Sequence, residues 1–260
     1  MSNMKVKMSF FRCCILACIM AFGVACSNQG GSSGKFTIKG KLSDVDDGVV
    51  ISLLGFENDT VRNGRFEFAG EAGPDAELLG LMVIDDGPIS MPLLAVWIAP
   101  GAKIKINGKG KLTPLWTVQS SVPNQKEENL YTNENRDNIA EQARINIELI
   151  DLLTKSRAAS SEDQVLAYRE VSNFLMTKLD SLKIREIYSN ISVMEKTAVS
   201  PIWLNKMNGL AGILFFRKSS LSAEQSGYLI KKAWELYNKM SEEDKNTPIG
   251  NQILRSLEQL

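Results

Sequence analysis

The sequence predicts an α+β chain of two successive regions: an N-terminal antiparallel β-sandwich or open barrel over residues 35–120, then a C-terminal helical domain over 121–260. Three observations point there. Phe36-Thr37-Ile38-Lys39-Gly40-Lys41-Leu42 alternates apolar and polar positions, the period of a half-buried strand. As far as Gln119 the chain keeps returning to short β-rich runs cut by Gly, Pro and Asn, with no helical period between them. Beyond Asn135 the period changes, and Ile139, Ala143, Ile147, Ile150 and Leu153 recur at helical spacing.

The elements follow in order. After the first strand, Asp44 to Gly48 reads as a turn and Val49–Leu54 as a more buried strand. Asn63-Gly64 separates Thr60-Val61-Arg62 from Arg65-Phe66-Glu67-Phe68, a hairpin signal because both turn residues tolerate positive φ. Further strands are expected at Leu78–Ile84 and Leu93–Ile98. Lys103–Ile106 is then expected to meet Lys111–Val118 across Asn107-Gly108-Lys109-Gly110. Ser120 to Asn135 is polar, contains Pro123, and reads as the boundary between the regions.

In the second region Ser161 with Gln164 spells a capping box and opens a helix with Tyr168, Val171, Leu175, Leu179 and Leu182 along one face. Ser200-Pro201 has the chemistry of a helix start, followed by Trp203, Met207, Leu210, Ala211 and Leu214. Ser222 with Gln225 caps a helix bearing Leu229, Ala233, Leu236 and Met240. Thr247-Pro248 starts a last one with Ile249, Ile253 and Leu257. No Gly or Asn stop lies between Leu257 and Leu260, so either this helix frays or a further segment follows.

Ahead of all this lie Lys5, Lys7 and Arg12, an apolar run from Cys13 to Ala25, and small residues before Cys26. That is the layout of a secretory signal. The uncharged run is about two-thirds of the ~20 residues that a membrane span needs. Phe22-Gly23-Val24-Ala25-Cys26 resembles the lipobox of bacterial lipoproteins, and the resemblance implies cleavage before Cys26 and diacylation of its thiol. Residues 1–25 are then a signal peptide. Residues 26–34, Gly- and Ser-rich, form a flexible tether between lipid and folded chain. Ser27 is not the Asp that marks inner-membrane retention, which points to the outer membrane.

Removing residues 1–25 from the 260 leaves 235, enough for a sizeable core, with a net charge of −3. A weakly acidic chain is a poor nucleic-acid ligand, because neutralising phosphates supplies most of that affinity. The four cysteines are Cys13, Cys14, Cys18 and Cys26, so residues 27–260 hold neither thiol nor disulfide. Histidine is absent. This excludes Ser-His-Asp and Cys-His nucleophiles, zinc sites of the usual kind and haem ligation by His.

The layout resembles the N-terminal portion of bacterial envelope lipoproteins related to thioredoxin-like thiol–disulfide oxidoreductases. The residues carrying the resemblance are Phe36–Leu42, Asp59–Gly70, Ile98-Ala99-Pro100-Gly101, Leu221–Gln225 and Thr247–Gly250. It implies a lipobox, a β-domain of unknown function and a helical segment, and in that family a thioredoxin-like domain usually follows. That domain and its Cys-x-x-Cys do not occur in residues 27–260. Disulfide exchange needs a thiolate, so the activity is not carried over.

Other candidates have plainer readings. Asp44-x-Asp46-Asp47-Gly48 lacks the bidentate Glu of a calcium loop, since Gly55 stands there, and reads as a turn. Asp85-Asp86-Gly87-Pro88 is turn chemistry with no partner for acid–base work. Gly108-Lys109-Gly110-Lys111 lacks the spacing and the Ser/Thr of a phosphate loop. Lys39, Lys41, Lys103 and Lys105 make a lysine-rich sheet face if their strands are neighbours; such a face meets anionic lipid or glycan, or is simply solvated. Trp203, Met207, Phe215, Phe216, Trp234 and Tyr237 read as helical core rather than a ligand groove.

The expectation is a lipid-anchored envelope protein, a non-enzymatic binding or scaffold module. It has no catalytic residue, no cofactor and no metal, and Cys26 is its lipidation site. Its partners are the membrane, through that lipid, and a protein that the resemblance suggests is thioredoxin-like. The alternative is the accessory half of a thioredoxin-like oxidoreductase whose catalytic domain is absent or on another chain. A carboxylate-based hydrolase is a third reading, unsupported by any spaced acidic motif.

Overall fold

The computed structural model describes residues 34–84, 93–217 and 221–260. The lipobox-like stretch with Cys26 and the Asp85-Asp86 pair lie outside the described residues, as does the Phe216 side chain. The strands come first: β1 (Gly34–Ser43), β2 (Val50–Leu53), β3 (Glu57–Thr60), β4 (Arg65–Ala72), β5 (Glu77–Ile84), β6 (Leu94–Ile98), β7 (Lys103–Lys109) and β8 (Thr117–Gln119). They form two open four-stranded sheets, ordered β4-β1-β7-β8 and β3-β2-β5-β6. The chain is therefore α+β as predicted, with a sandwich ahead of the helices.

Alternation builds the sandwich core. Phe36, Ile38 and Leu42 of β1, Phe66 and Phe68 of β4, and Ile104 and Ile106 of β7 are buried, as are Ile51, Leu53, Leu81, Val96 and Ile98 of the other sheet. Gly40 interrupts the run of large side chains on β1 for a steric reason. The Phe66 ring occupies the space that a Cβ at Gly40 would need.

Three expectations are corrected here. One pairing is parallel, not antiparallel: β1 runs alongside β7 with Lys39 opposite Lys105. A parallel neighbour needs a long crossover, and the excursion through the second sheet between β1 and β7 supplies it. Asn63 and Gly64 do adopt positive φ, 51° and 65°, and Arg62 and Arg65 exchange backbone hydrogen bonds of 2.9 and 3.1 Å. The hairpin goes no further, because Val61 donates its N–H to Val49 O in one sheet while Phe66 pairs with Gly40 in the other. Asn63-Gly64 therefore turns a corner between sheets. The strand expected at Lys111–Val118 shrinks to β8, since Pro114 sits in a 3-10 turn, Thr113–Leu115, ahead of it.

The helices are α1 (Pro123–Glu134), α2 (Arg136–Ala158), α3 (Glu162–Lys196), α4 (Pro201–Arg217), α5 (Ala223–Asn238), α6 (Glu242–Lys245) and α7 (Pro248–Glu258). Their starts carry the capping chemistry read in the sequence. Ser222 and Gln225 make a complete capping box, Thr247 accepts from Gly250 N, and Ser200 Oγ accepts from Trp203 N at 3.0 Å. At α3 Ser161 accepts from Gln164 N, but the returning Gln164 side chain takes the Ser160 N–H instead. One hydrophobic cluster runs from the sandwich through Tyr131 and Ile187 to Trp203, Leu229 and Ile253, so the two regions share a core.

The α2 stripe is a fourth correction. Ile147 and Leu153 are 47% and 51% exposed, whereas Ile145 and Leu152 pack with Leu175, Leu179 and Leu182 of α3 in a second, smaller cluster. Helix α2 has apolar residues on two sides, and the side that α3 covers is the one bearing Ile145. On α3 itself Val171, expected inside, is exposed, and so is Phe174.

Candidate functional site: the cleft at the sandwich–helix junction

The segment read as a polar boundary is helix α1. Pro123 occupies its first turn, where its missing N–H costs nothing. The polar side chains that made the segment look like a linker are spent on the strands beside it. Gln125 Oε1 accepts from Trp97 N at 2.8 Å, and Gln125 Nε2 donates to Ala95 O at 3.3 Å and to Asn129 Oδ1 at 3.1 Å. Asn129 Nδ2 in turn donates to Val118 O at 2.8 Å. Strands β6 and β8 are each an edge strand of their sheet, so α1 satisfies backbone groups on one edge of each sheet. An open edge is a template for unwanted pairing, and here two carboxamides close it.

The rest of α1 meets the helices. Ser200 Oγ donates to Glu127 Oε1 at 2.6 Å, and Lys206 Nζ pairs with Glu128 Oε1 at 2.8 Å. The side chains of this second pair are only 11% and 28% exposed, the carboxylate being the more buried. The Lys206 ammonium also lies 5.2 Å from the Tyr131 ring centroid, a cation–π contact. Burial pushes the Tyr131 phenol up to about 12, and the nearby Glu127 and Glu128 carboxylates add to the rise.

Between these groups and the end of β6 opens a cleft of about 190 Å³. Leu93, Leu94 and Pro114 form its apolar wall, and Glu128, Asn135 and Glu186 stand on its polar side. Asn135 is 2% exposed. Its Nδ2 donates to Tyr131 O at 3.0 Å and to Asn190 Oδ1 at 2.8 Å, while its Oδ1 has no hydrogen-bond partner among the described residues. Glu186 accepts from Gln142 Nε2 at 2.9 Å. The Tyr131 hydroxyl, which can donate or accept, is likewise without a hydrogen-bond partner among the described residues, so at Asn135 the unfilled capacity is for a donor. A buried acceptor left open costs free energy until an N–H or O–H meets it.

The residues singled out in the sequence lie elsewhere. Asp44 pairs with Lys109 at 3.5 Å and Asp47 Oδ1 accepts from Gly64 N at 3.4 Å, so both serve the turn. In the Gly108–Lys111 stretch, the Trp116 ring packs onto Gly108, and Gly110 donates its N–H to Ser43 O at 2.8 Å with φ of 63°. Trp203 and Met207 are wholly buried, with Trp203 Nε1 donating to Met194 O at 3.0 Å, and Trp234 meets Tyr237 edge to face. The lysines of β1 and β7 are brought together on one sheet face. Sequence reasoning missed α1 and with it the whole cleft; the available signal was Pro123 at a helix-start position. No family model, no characterised protein and no solved structure matches the chain.

Proposed function

We propose that this is a lipid-anchored protein of the bacterial cell envelope that acts by binding, and that the junction cleft receives a hydrogen-bond-donating group of its ligand. The address rests on the lipobox-like Phe22–Cys26 and the polar Gly/Ser tether directly after it. The observation that carries the binding role is Asn135, buried with an unmet carbonyl oxygen on a cleft that has one apolar wall. Such a mixture of apolar lining and a few placed polar groups is what small-ligand and peptide sites use. A non-catalytic role is supported by the lack of any histidine and of any thiol after Cys26, and by the engagement of Glu128 with Lys206 and of Glu186 with Gln142.

The resemblance to envelope oxidoreductases supports a protein as the ligand's source, a thioredoxin-like one included; a peptide amide supplies the N–H that Asn135 lacks. The address is tested by growing cells with a clickable fatty acid and comparing the wild type with Cys26→Ser. The wild type is expected to be cleaved and to label, and the variant to be neither cleaved before residue 26 nor labelled. Equal labelling of the variant overturns the reading.

A further inference from the structure

The outward face of the β4-β1-β7-β8 sheet has a composition unlike that of the whole chain. Its outward positions carry Lys35, Lys39 and Lys41 on β1, Lys103, Lys105 and Lys109 on β7, and Arg65 on β4, all exposed. Against these seven cations the same face has Glu67 and Glu71. The remaining outward positions are small or polar: Thr37, Ala69, Asn107, Thr117 and Gln119. A chain that is net acidic after residue 25 thus concentrates positive charge on one sheet face.

Register makes the concentration sharper. Lys39 stands opposite Lys105 on the parallel neighbour and Lys41 opposite Arg65 on the antiparallel one, while Lys35 and Lys39 have Glu71 and Glu67 opposite them on β4. Like charges directly opposite in a sheet are destabilising, so the cost is carried between β1 and β7 and at the Arg65 end of β4. Lys39 forms a cross-strand ion pair with Glu67 at 3.2 Å, and both partners are more than half exposed. A second pair, Lys109 with Asp44, sits on the rim. Pairs so open to water hold their charges only weakly, which leaves the face cationic at long range.

Position supplies the partner. Strand β1, which carries three of these lysines, begins at Gly34, eight residues after Cys26. Eight residues reach at most about 28 Å when fully extended, and a Gly/Ser coil of that length averages about 16 Å. With an acyl group on Cys26 the face is held within a few Debye lengths of the bilayer. A basic surface held that close to anionic lipid adds electrostatic attraction to the attachment that the acyl chains give.

We propose that the outward face of the β4-β1-β7-β8 sheet is a second membrane contact, docking on a bilayer surface of anionic phospholipid. The proximity argument rests on the lipid-anchor reading; the charge argument stands without it. In the docked state Lys39, Lys41, Lys103 and Lys105 face the headgroups. The face carries no large apolar side chain, so docking is electrostatic and reversible by salt.

The test uses residues 26–260 with Cys26→Ser, so that no acyl chain contributes; residues 31–260 form one compact unit. Binding is measured by flotation with vesicles of phosphatidylcholine alone and of phosphatidylcholine with 30% phosphatidylglycerol, at about 50 and 300 mM NaCl. The expected result is binding only to the anionic vesicles, lost by at least tenfold at the higher salt. Lys39→Glu/Lys41→Glu/Lys105→Glu lowers the partition coefficient by tenfold or more, while Lys126→Glu/Lys196→Glu/Lys231→Glu on the helices changes it less than twofold. Should the first variant misfold by circular dichroism, Lys39→Gln/Lys41→Gln/Lys105→Gln is read in its place, with a threefold or larger loss expected. Equal binding to both vesicle types, or the same loss in the helix variant, overturns the proposal. So does binding to a soluble polyanionic glycan that anionic vesicles fail to compete. The assay contains no lipidated protein, so a failure of Cys26 labelling and a failure of sheet docking are read separately.

Discussion

Gln125 holds Trp97 by the backbone: its Oε1 accepts the Trp97 N–H at 2.8 Å across the junction between helix α1 and the edge of the second sheet. Its Nε2 returns a bond to Ala95 O, so one carboxamide fills a donor and an acceptor on the same edge strand. Gln125→Ala leaves a buried N–H unmet and is expected to cost about 2 kcal/mol. Gln125→Glu keeps the acceptor but sets a carboxylate against Ala95 O and Asn129 Oδ1, and is expected to cost at least as much. Urea melts of the three proteins check this. A Glu variant as stable as the wild type would mean that the edge is not held by this residue.

Gly40 makes room for a ring. Its missing Cβ is where the Phe66 side chain lies, so Gly40→Ala overpacks the sandwich and is expected to cost about 1–3 kcal/mol. Phe66→Leu removes the clash at the price of a small cavity. In the Phe66→Leu background the added cost of Gly40→Ala should fall to less than half. Additive losses contradict the steric account.

The fold was legible wherever a local signal decides the local structure. The alternation of Phe36–Leu42 and the caps at Ser200, Ser222 and Thr247 act within a few residues and form as read, and Asn63-Gly64 takes the positive φ expected of it although the strands around it go to different sheets. What could not be read is set by distant partners. Nothing near Lys103 says that β7 will lie parallel to β1. Likewise Gln125 and Asn129 are polar because edge strands about 10–30 residues earlier in the chain need them, and on periodicity alone that looks like a linker. The stripe of α2 failed for a related reason: two of its sides are apolar, and only the long partner helix α3 decides which is covered. The lysine face was half legible, its spacing visible and its pairing not.

The Glu128–Lys206 pair is expected to behave as a buried one. Lys206→Met strands a carboxylate that is only 11% exposed, at a cost of about 2 kcal/mol. Glu128→Gln/Lys206→Met removes both charges and should be more stable than Lys206→Met alone. A double variant no better than that single one would show that the carboxylate reaches water.

Tyr131 makes stability fall in strong alkali. Its phenol is raised to about 12, chiefly by burial, whereas an unfolded tyrosine ionises near ~10. Below about pH 10 the stabilisation is complete. Between the two values the unfolded chain holds fewer protons than the folded one, so stability declines as pH rises, by about 3 kcal/mol in all. Chemical unfolding at pH 9 and 11.5 should show this drop in the wild type, over and above the drop in Tyr131→Phe. Parallel pH profiles for the two proteins contradict the assignment.

The most direct test of the account is the mass of the first tryptic peptide from protein extracted out of its native membrane. The account predicts a peptide Cys26–Lys35 whose mass exceeds that of the bare residues by a diacylglyceryl group, with or without a third acyl chain. Recovery of an unmodified peptide spanning residue 26, or of leader residues still joined to Cys26, would contradict it.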